Sequence, residues 1–108
     1  MRFGRETLTV VRGPGTDRHG DPLPGDPAET DSHGWDVQPA ATSEDVDDGG
    51  DTVQEEWTAI GPPGADITAT DRVRWRGDLY QVQGQPQRWP DHRGRAHHTE
   101  VTLRRVRG

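Results

Sequence analysis

Apolar residues fall in short alternating runs separated by stretches rich in glycine and proline. This pattern predicts strands rather than helices. Glu6 to Arg12, ETLTVVR, sets Leu8 and Val10 on one face. Trp35 to Ala40, WDVQPA, sets Trp35 and Val37 on one face, and Pro39 marks an edge or an end. Thr52 to Ile60, TVQEEWTAI, is open between two periods. Val53, Trp57 and Ile60 fit a helix, while Val53, Glu55, Trp57 and Ala59 fit a strand less cleanly. The sharpest local signal is DRVRWRGDLYQVQ, residues 71 to 83, with Gly77-Asp78 as a two-residue hairpin turn. That turn would set Arg76 opposite Leu79, Trp75 opposite Tyr80 and Val73 opposite Val82. Trp75, Tyr80, Val73 and Val82 would then share one face, with Arg72, Arg74, Arg76, Leu79 and Gln81 on the other. Thr99 to Val106 reads as a last strand, with Val101 and Leu103 on the face away from Thr102 and Arg104.

The remaining chain predicts three long loops, over residues 13–34, 42–51 and 84–98. Five or six short strands in one sheet would leave exposed edges. The expected architecture is therefore all-β, a small β-barrel or sandwich forming a single domain over residues 1–108. Its core would hold Trp75, Tyr80, Val73, Val82, Val101 and Leu103.

Composition changes this picture in one respect. Hydrophobic residues make up only 27 % of the 108, and Leu, Ile, Val and Phe together number 16. The core must be thin, with loops that order on assembly. Trp35, Trp57, Trp75 and Trp89 supply part of the missing apolar area. The chain has no cysteine, which excludes disulfides and thiolate metal sites. No run approaches the roughly 20 apolar residues of a membrane helix and no signal peptide is visible, so no membrane partner is expected.

Charge is segregated along the chain, whose net value is −6. Residues 1–12 hold three Arg against one Glu; residues 13–71 hold fifteen acids against one Arg; residues 72–108 hold nine Arg against three acids. An acidic middle and a basic end can pair within one chain or between copies. All thirteen basic residues are arginine, which a GC-rich genome explains more simply than a demand for guanidinium.

Candidate chemistry is sparse. The run SEDVDDGGD, residues 43 to 51, reads partly as a calcium loop, with Asp45, Asp47, Gly50 and Glu56 at suitable positions. Gly49 offers no side-chain oxygen at a ligand position, and no helix precedes the run. A mobile acidic loop is the better reading. His97 and His98 are adjacent, so on a regular strand they point to opposite faces and make a poor metal pair. The two serines lie in acidic loops without a nucleophile elbow, and no acid/base constellation points to an enzyme. Arg76-Gly77-Asp78 spells an adhesion tripeptide but falls in the hairpin turn. The arginine-rich C-terminal third with Trp75 and Trp89 could track a nucleic-acid strand, against the acidic pI of about 5.2. This small nucleic-acid-binding barrel is the alternative reading.

Three stretches together resemble one family: RFGRETLTVVRGPGTDRHGDPLPG, GADITATDRVRWRGDLYQVQG and TEVTLRRVRG. They are similar to the head-to-tail connector proteins of long-tailed phages, and within these to the head-closure, or stopper, proteins of actinobacteriophages. The resemblance is strongest at the Gly20 to Pro22 turn, the 71–83 hairpin and the basic last strand, and weakest from Ser32 to Trp57. It implies a β-barrel that forms a ring of six or twelve copies in the virion neck, after synthesis in the host cytoplasm. A head-tail adaptor would lie above and a tail terminator or tail tube below, with packaged DNA in the channel. It implies no cofactor and no metal, and it turns the 52–60 segment into a strand. Within that frame Trp89, between Arg88 and Arg93, is the candidate interface anchor, or else a lid on the barrel. Arg72, Arg74, Arg76, Arg104 and Arg105 are further interface candidates. Glu44, Asp45, Asp47, Asp48 and Asp51 form an acidic loop facing either the channel or an arginine-rich neighbour.

Overall fold

Eight strands and no helix make up the regular structure of the computed structural model, which describes residues 4–40, 44–47, 50–53, 55–90 and 92–106. They are β1 (Glu6–Arg12), β2 (Ala28–Pro39), β3 (Glu44–Asp47), β4 (Gly50–Val53), β5 (Glu56–Gly61), β6 (Arg72–Trp75), β7 (Asp78–Pro90) and β8 (Ala96–Arg105). Six close into an antiparallel barrel in the order β1-β2-β5-β8-β7-β6, and among the described residues β3 and β4 pair only with each other. Closure removes the edges that six short strands would otherwise expose.

The inward face is apolar and the outward face polar, as period-2 alternation requires. Leu8 and Val10 of β1, Val73 and Trp75 of β6, Tyr80 and Val82 of β7, and Val101 and Leu103 of β8 are all buried. Trp35 is wholly buried and lies against the backbone of Gly61; a Cβ at that glycine would overlap the indole ring. Its Nε1 donates to Ser32 Oγ at 2.8 Å, so the large ring is buried without an unpaired donor. Each fully buried aliphatic side chain contributes about 1.5–3 kcal/mol. The barrel therefore gains its stability from few residues.

The sequence reading needs correction at several places. The hairpin turn is Arg76-Gly77, not Gly77-Asp78: Trp75 pairs with Asp78, Arg74 with Leu79 and Val73 with Tyr80. Arg76 and Gly77 have φ of 50° and 83°, the two positive values of a type I′ turn. The slip moves each strand by one position relative to the turn, so parity is kept and the four apolar residues still share the inner face.

The loop at 13–34 ends early, because residues 28–34 belong to β2. Ala28 to Ser32 pair with β1 from Arg12 to Leu8, and Gly34, at φ 88°, is the extra residue of a bulge. Polar composition there reflects a strand that is exposed along most of its length, with only Ser32 half-buried before Trp35. The loop at 84–98 is mostly strand as well. Gly84 and Pro86 sit in a bulge between Gln83 and Gln87, after which β7 and β8 pair again to Pro90 and Ala96. The loop at 42–51 contains β3 and β4, with Glu44 opposite Val53 and Asp47 opposite Gly50. Asp48 lies outside the described residues. The single 52–60 strand is divided between β4 and β5.

Candidate interaction surfaces

The strand directions define two barrel ends. β5 runs from Glu56, opposite Arg104, to Gly61, opposite Thr99. The β3-β4 hairpin, joining β2 to β5, leaves from the Glu56 end. The tip of the β7-β8 pair leaves from the Gly61 end.

Ion pairs gather at the hairpin end. Arg76 reaches Glu6 at 2.9 Å and stacks over Trp75 with its guanidinium carbon 4.8 Å from the ring centroid. Arg104 meets Glu56 at 2.9 Å, and Arg105 meets both Glu55 and Asp78 at 3.1 Å. The Glu55 hydrogen bond raises the Arg105 pKa further above neutrality. Trp57 packs edge-on against Trp75, with centroids 4.9 Å apart, and Trp57 Nε1 donates to Glu55. Tyr80, on the inner face beside Trp75, has its pKa raised by burial, with the Glu55 and Asp78 charges adding to it. Trp75 Nε1 and Arg104 Nε are buried without a partner among the described residues.

At the opposite end two arginines hold the 62–71 segment. Ala65 and Ile67 of this segment enter the core. Arg88 donates to Ala65 O at 2.7 Å, Ile67 O at 2.8 Å and Thr99 Oγ1 at 3.1 Å. Arg12 donates in bidentate fashion to Asp71, Nε to Oδ1 at 2.9 Å and Nη2 to Oδ2 at 2.8 Å, and also reaches Asp66. The Thr68 amide donates to Asp71 Oδ2 at 2.8 Å. Burial pushes the Asp71 carboxyl up, but the bonds from Arg12 and Thr68 outweigh it and hold the group below the usual carboxylate range. Arg12 is correspondingly raised, chiefly by its hydrogen bonds to Asp71 and Asp66.

The sequence-selected residues thus separate. Arg76, Arg104 and Arg105 pair with acids at the hairpin end, and Arg74 pairs with Glu29 at 3.2 Å on the barrel wall. Arg88 serves the fold. Arg72 is exposed and makes no ion pair among the described residues. Arg93 is exposed beside the β7-β8 tip. Glu44, Asp45, Asp47 and Asp51 belong to the β3-β4 hairpin. Trp89 is 47 % exposed and lies near the end of β7, beside the tip of the β7-β8 pair.

Sequence reading missed one arrangement. Trp89 pairs with His98 but Pro90 pairs with Ala96, so His97 is an extra residue in β8. This bulge brings the neighbouring His rings together instead of apart. Their Nδ1 atoms are 2.8 Å apart, and His98 stacks on Trp89 at 6.3 Å between centroids. Gly64, Arg88, Trp89, Pro90, Gly94 and His98 line a shallow cavity of about 260 Å³ there. Among the described residues no group of three His, Cys, Asp or Glu is placed to hold a metal ion.

The architecture defines a closed six-stranded antiparallel barrel with a detached hairpin. No protein-family model matches the chain, and no curated protein does. The fold is shared with a chain from the virion of a native gene transfer agent particle: TM-score 0.68 and 14 % identity, covering 98 % of each chain. A second similar structure is the phage-like element PBSX protein xkdH from Bacillus subtilis, with TM-score 0.47 and 17 % identity over 93 % of this chain and 92 % of that one.

Proposed function

We propose that the chain is a structural protein of a phage-type virion, and within it a head-closure protein of the neck. Copies would form a cyclic ring between a head-tail adaptor and the tail, close the DNA channel after packaging and offer the tail a docking surface. The observation that carries this reading is the end-to-end likeness to a chain of a gene transfer agent virion, with both chains covered over 98 % of their length. A connector subunit also accounts for a thin core joined to an outlying hairpin, since a ring neighbour supplies the burial that one small chain lacks. The nucleic-acid alternative draws little support from its own residues. Arg74, Arg76, Arg104 and Arg105 are paired with acids of the same chain, leaving few guanidinium groups for phosphates.

The test uses DNA-filled heads from a mutant lacking the protein. Adding back the purified chain should restore DNA retention and tail attachment together. Heads that keep their DNA and take tails without it would end the head-closure reading. Restored tail attachment without a change in DNA retention would reduce it to a docking role.

A further inference from the structure

We propose that the outer edge of β2 at residues 28–32 takes up an extended, basic segment of a partner protein as an added strand. The proposal goes beyond the head-closure reading and does not rest on it. It starts from an edge without a neighbour. Residues 28–32 pair with β1 on one side. On the other side β5 pairs with β2 only at residues 36–39. No further backbone bond reaches residues 28–32 among the described residues. Five residues make a strand of ordinary length, and their outward N–H and C=O groups form a template for one more strand.

The faces of this segment are as open as its edge. Register sets Thr30 opposite Val10 and Ala28 opposite Arg12, so Ala28 and Thr30 lie on the same side of the sheet as the buried Val10. Both are nevertheless exposed. A cavity of about 200 Å³ opens there, between Val10 and Arg12 of β1, Thr30 and Ser32 of β2, and Asp66. An added strand would set one of its alternate side chains into it. The edge is also held in place before any partner arrives. Thr9 donates to Asp31 at 2.9 Å, Arg74 pairs with Glu29 at 3.2 Å, and the buried Trp35 anchors the strand beyond the Gly34 bulge. A fixed edge loses little freedom on binding.

Charge selects the occupant. Residues 26–31 hold Asp26, Glu29 and Asp31 and no base. Of these only Glu29 has an ion pair among the described residues. The Asp66 side chain, on the cavity wall, is 85 % exposed and shares Arg12 with Asp71. Two copies of this edge side by side would set acids against acids, which disfavours pairing of β2 with itself. Arginine or lysine at alternate positions of an incoming segment would meet those acids instead. The other one-sided strand is a poorer template. Beyond Gln81, β7 has only β8 beside it among the described residues, but Pro86 and Pro90 have no N–H to offer.

Peptide binding to the full chain tests this. The probes are a short blocked peptide alternating arginine with valine, the same peptide with glutamate for arginine, and the arginine peptide with every amide N-methylated. Amide shifts and hydrogen exchange by NMR locate the contact, and the same titrations give the affinities. The arginine peptide should shift the amides of residues 28–32 and slow their exchange. Glutamate or N-methylation should each weaken binding at least about tenfold. Asp26→Arg with Asp31→Arg should reverse the preference between the two charged peptides, with thermal unfolding as the check on folding. An N-methylated peptide that binds like its parent overturns strand addition and leaves an ionic patch. A glutamate peptide that binds as well as the arginine peptide overturns the choice of occupant. Unchanged amides at residues 28–32 overturn the proposal altogether. None of these results depends on heads or tails, so the head-closure reading is judged separately.

Discussion

Asp71→Asn removes one charge from the best-buried ionic group among the described residues. The Asp71 residue is 2 % exposed and accepts two bonds from Arg12 and one from the Thr68 amide. The amide keeps the volume but turns one acceptor into a donor, facing either Arg12 or the Thr68 amide. Breaking a fully buried pair costs about 3–5 kcal/mol. The Arg12 side chain is 41 % exposed, however, so its charge can be rehydrated and part of that cost is screened. About 2 kcal/mol is the reasoned loss, with a melting point lower by about 8–15 °C for a domain of this size. Tryptophan fluorescence during heating reads it. The pH dependence gives an independent check. The folded Asp71 pKa lies below 3.8, so its contribution is fully present above the unfolded value and is lost as pH falls through the folded one. The gap between wild type and variant should hold from neutral pH to about pH 5 and close below about pH 4. A gap under about 2 °C at neutral pH, or one that persists unchanged in acid, would refute the clamp as a source of stability.

Two further changes test the packing. Gly61→Ala should cost more than about 3 kcal/mol in chemical denaturation, because the new methyl overlaps the buried Trp35 ring and both positions are fixed by β-pairing, Gly61 to Thr99 and Trp35 to Glu6. Arg88→Met should lower stability by about 2–3 kcal/mol and raise hydrogen exchange selectively in residues 65–71, since it leaves the carbonyls of Ala65 and Ile67 without their side-chain donor. Uniform exchange across the barrel would contradict a local clamp.

How much of this was legible in the sequence depends on the range of the interaction. The apolar faces of β1, β6, β7 and β8 were readable because alternation is local; all six residues selected as core are buried. The turn residue was misplaced by one position, yet its parity, and with it the face, survived. The first half of β2 was not legible. ETDSH is polar, and only its pairing with β1 makes it a strand. The β7-β8 extension was hidden by Gly84, Pro86 and Pro90, which read as loop residues but are tolerated where a strand bulges or lacks an outer neighbour. The arginine roles were hidden for a different reason. Arg12 to Asp71 spans 59 positions and Arg76 to Glu6 spans 70, and no local pattern encodes such partners. The contact of His97 with His98 depends on a bulge that adjacency alone argues against.

Salt tests how much the exposed ion pairs contribute to holding the barrel closed. The pairs on Arg74, Arg76 and Arg105 are exposed, and exposed pairs contribute little because water and salt screen them. They fix side-chain positions around a barrel that twelve buried hydrophobic residues already stabilise. In about 1 M sodium chloride the screening length falls to about 3 Å. The barrel should then melt within about 5 °C of its low-salt value, because the core is indifferent to screening and the Asp71 carboxylate is buried beneath its half-exposed Arg12 partner. A barrel that melts far earlier in salt would mean that ion pairs, not the core, hold it closed.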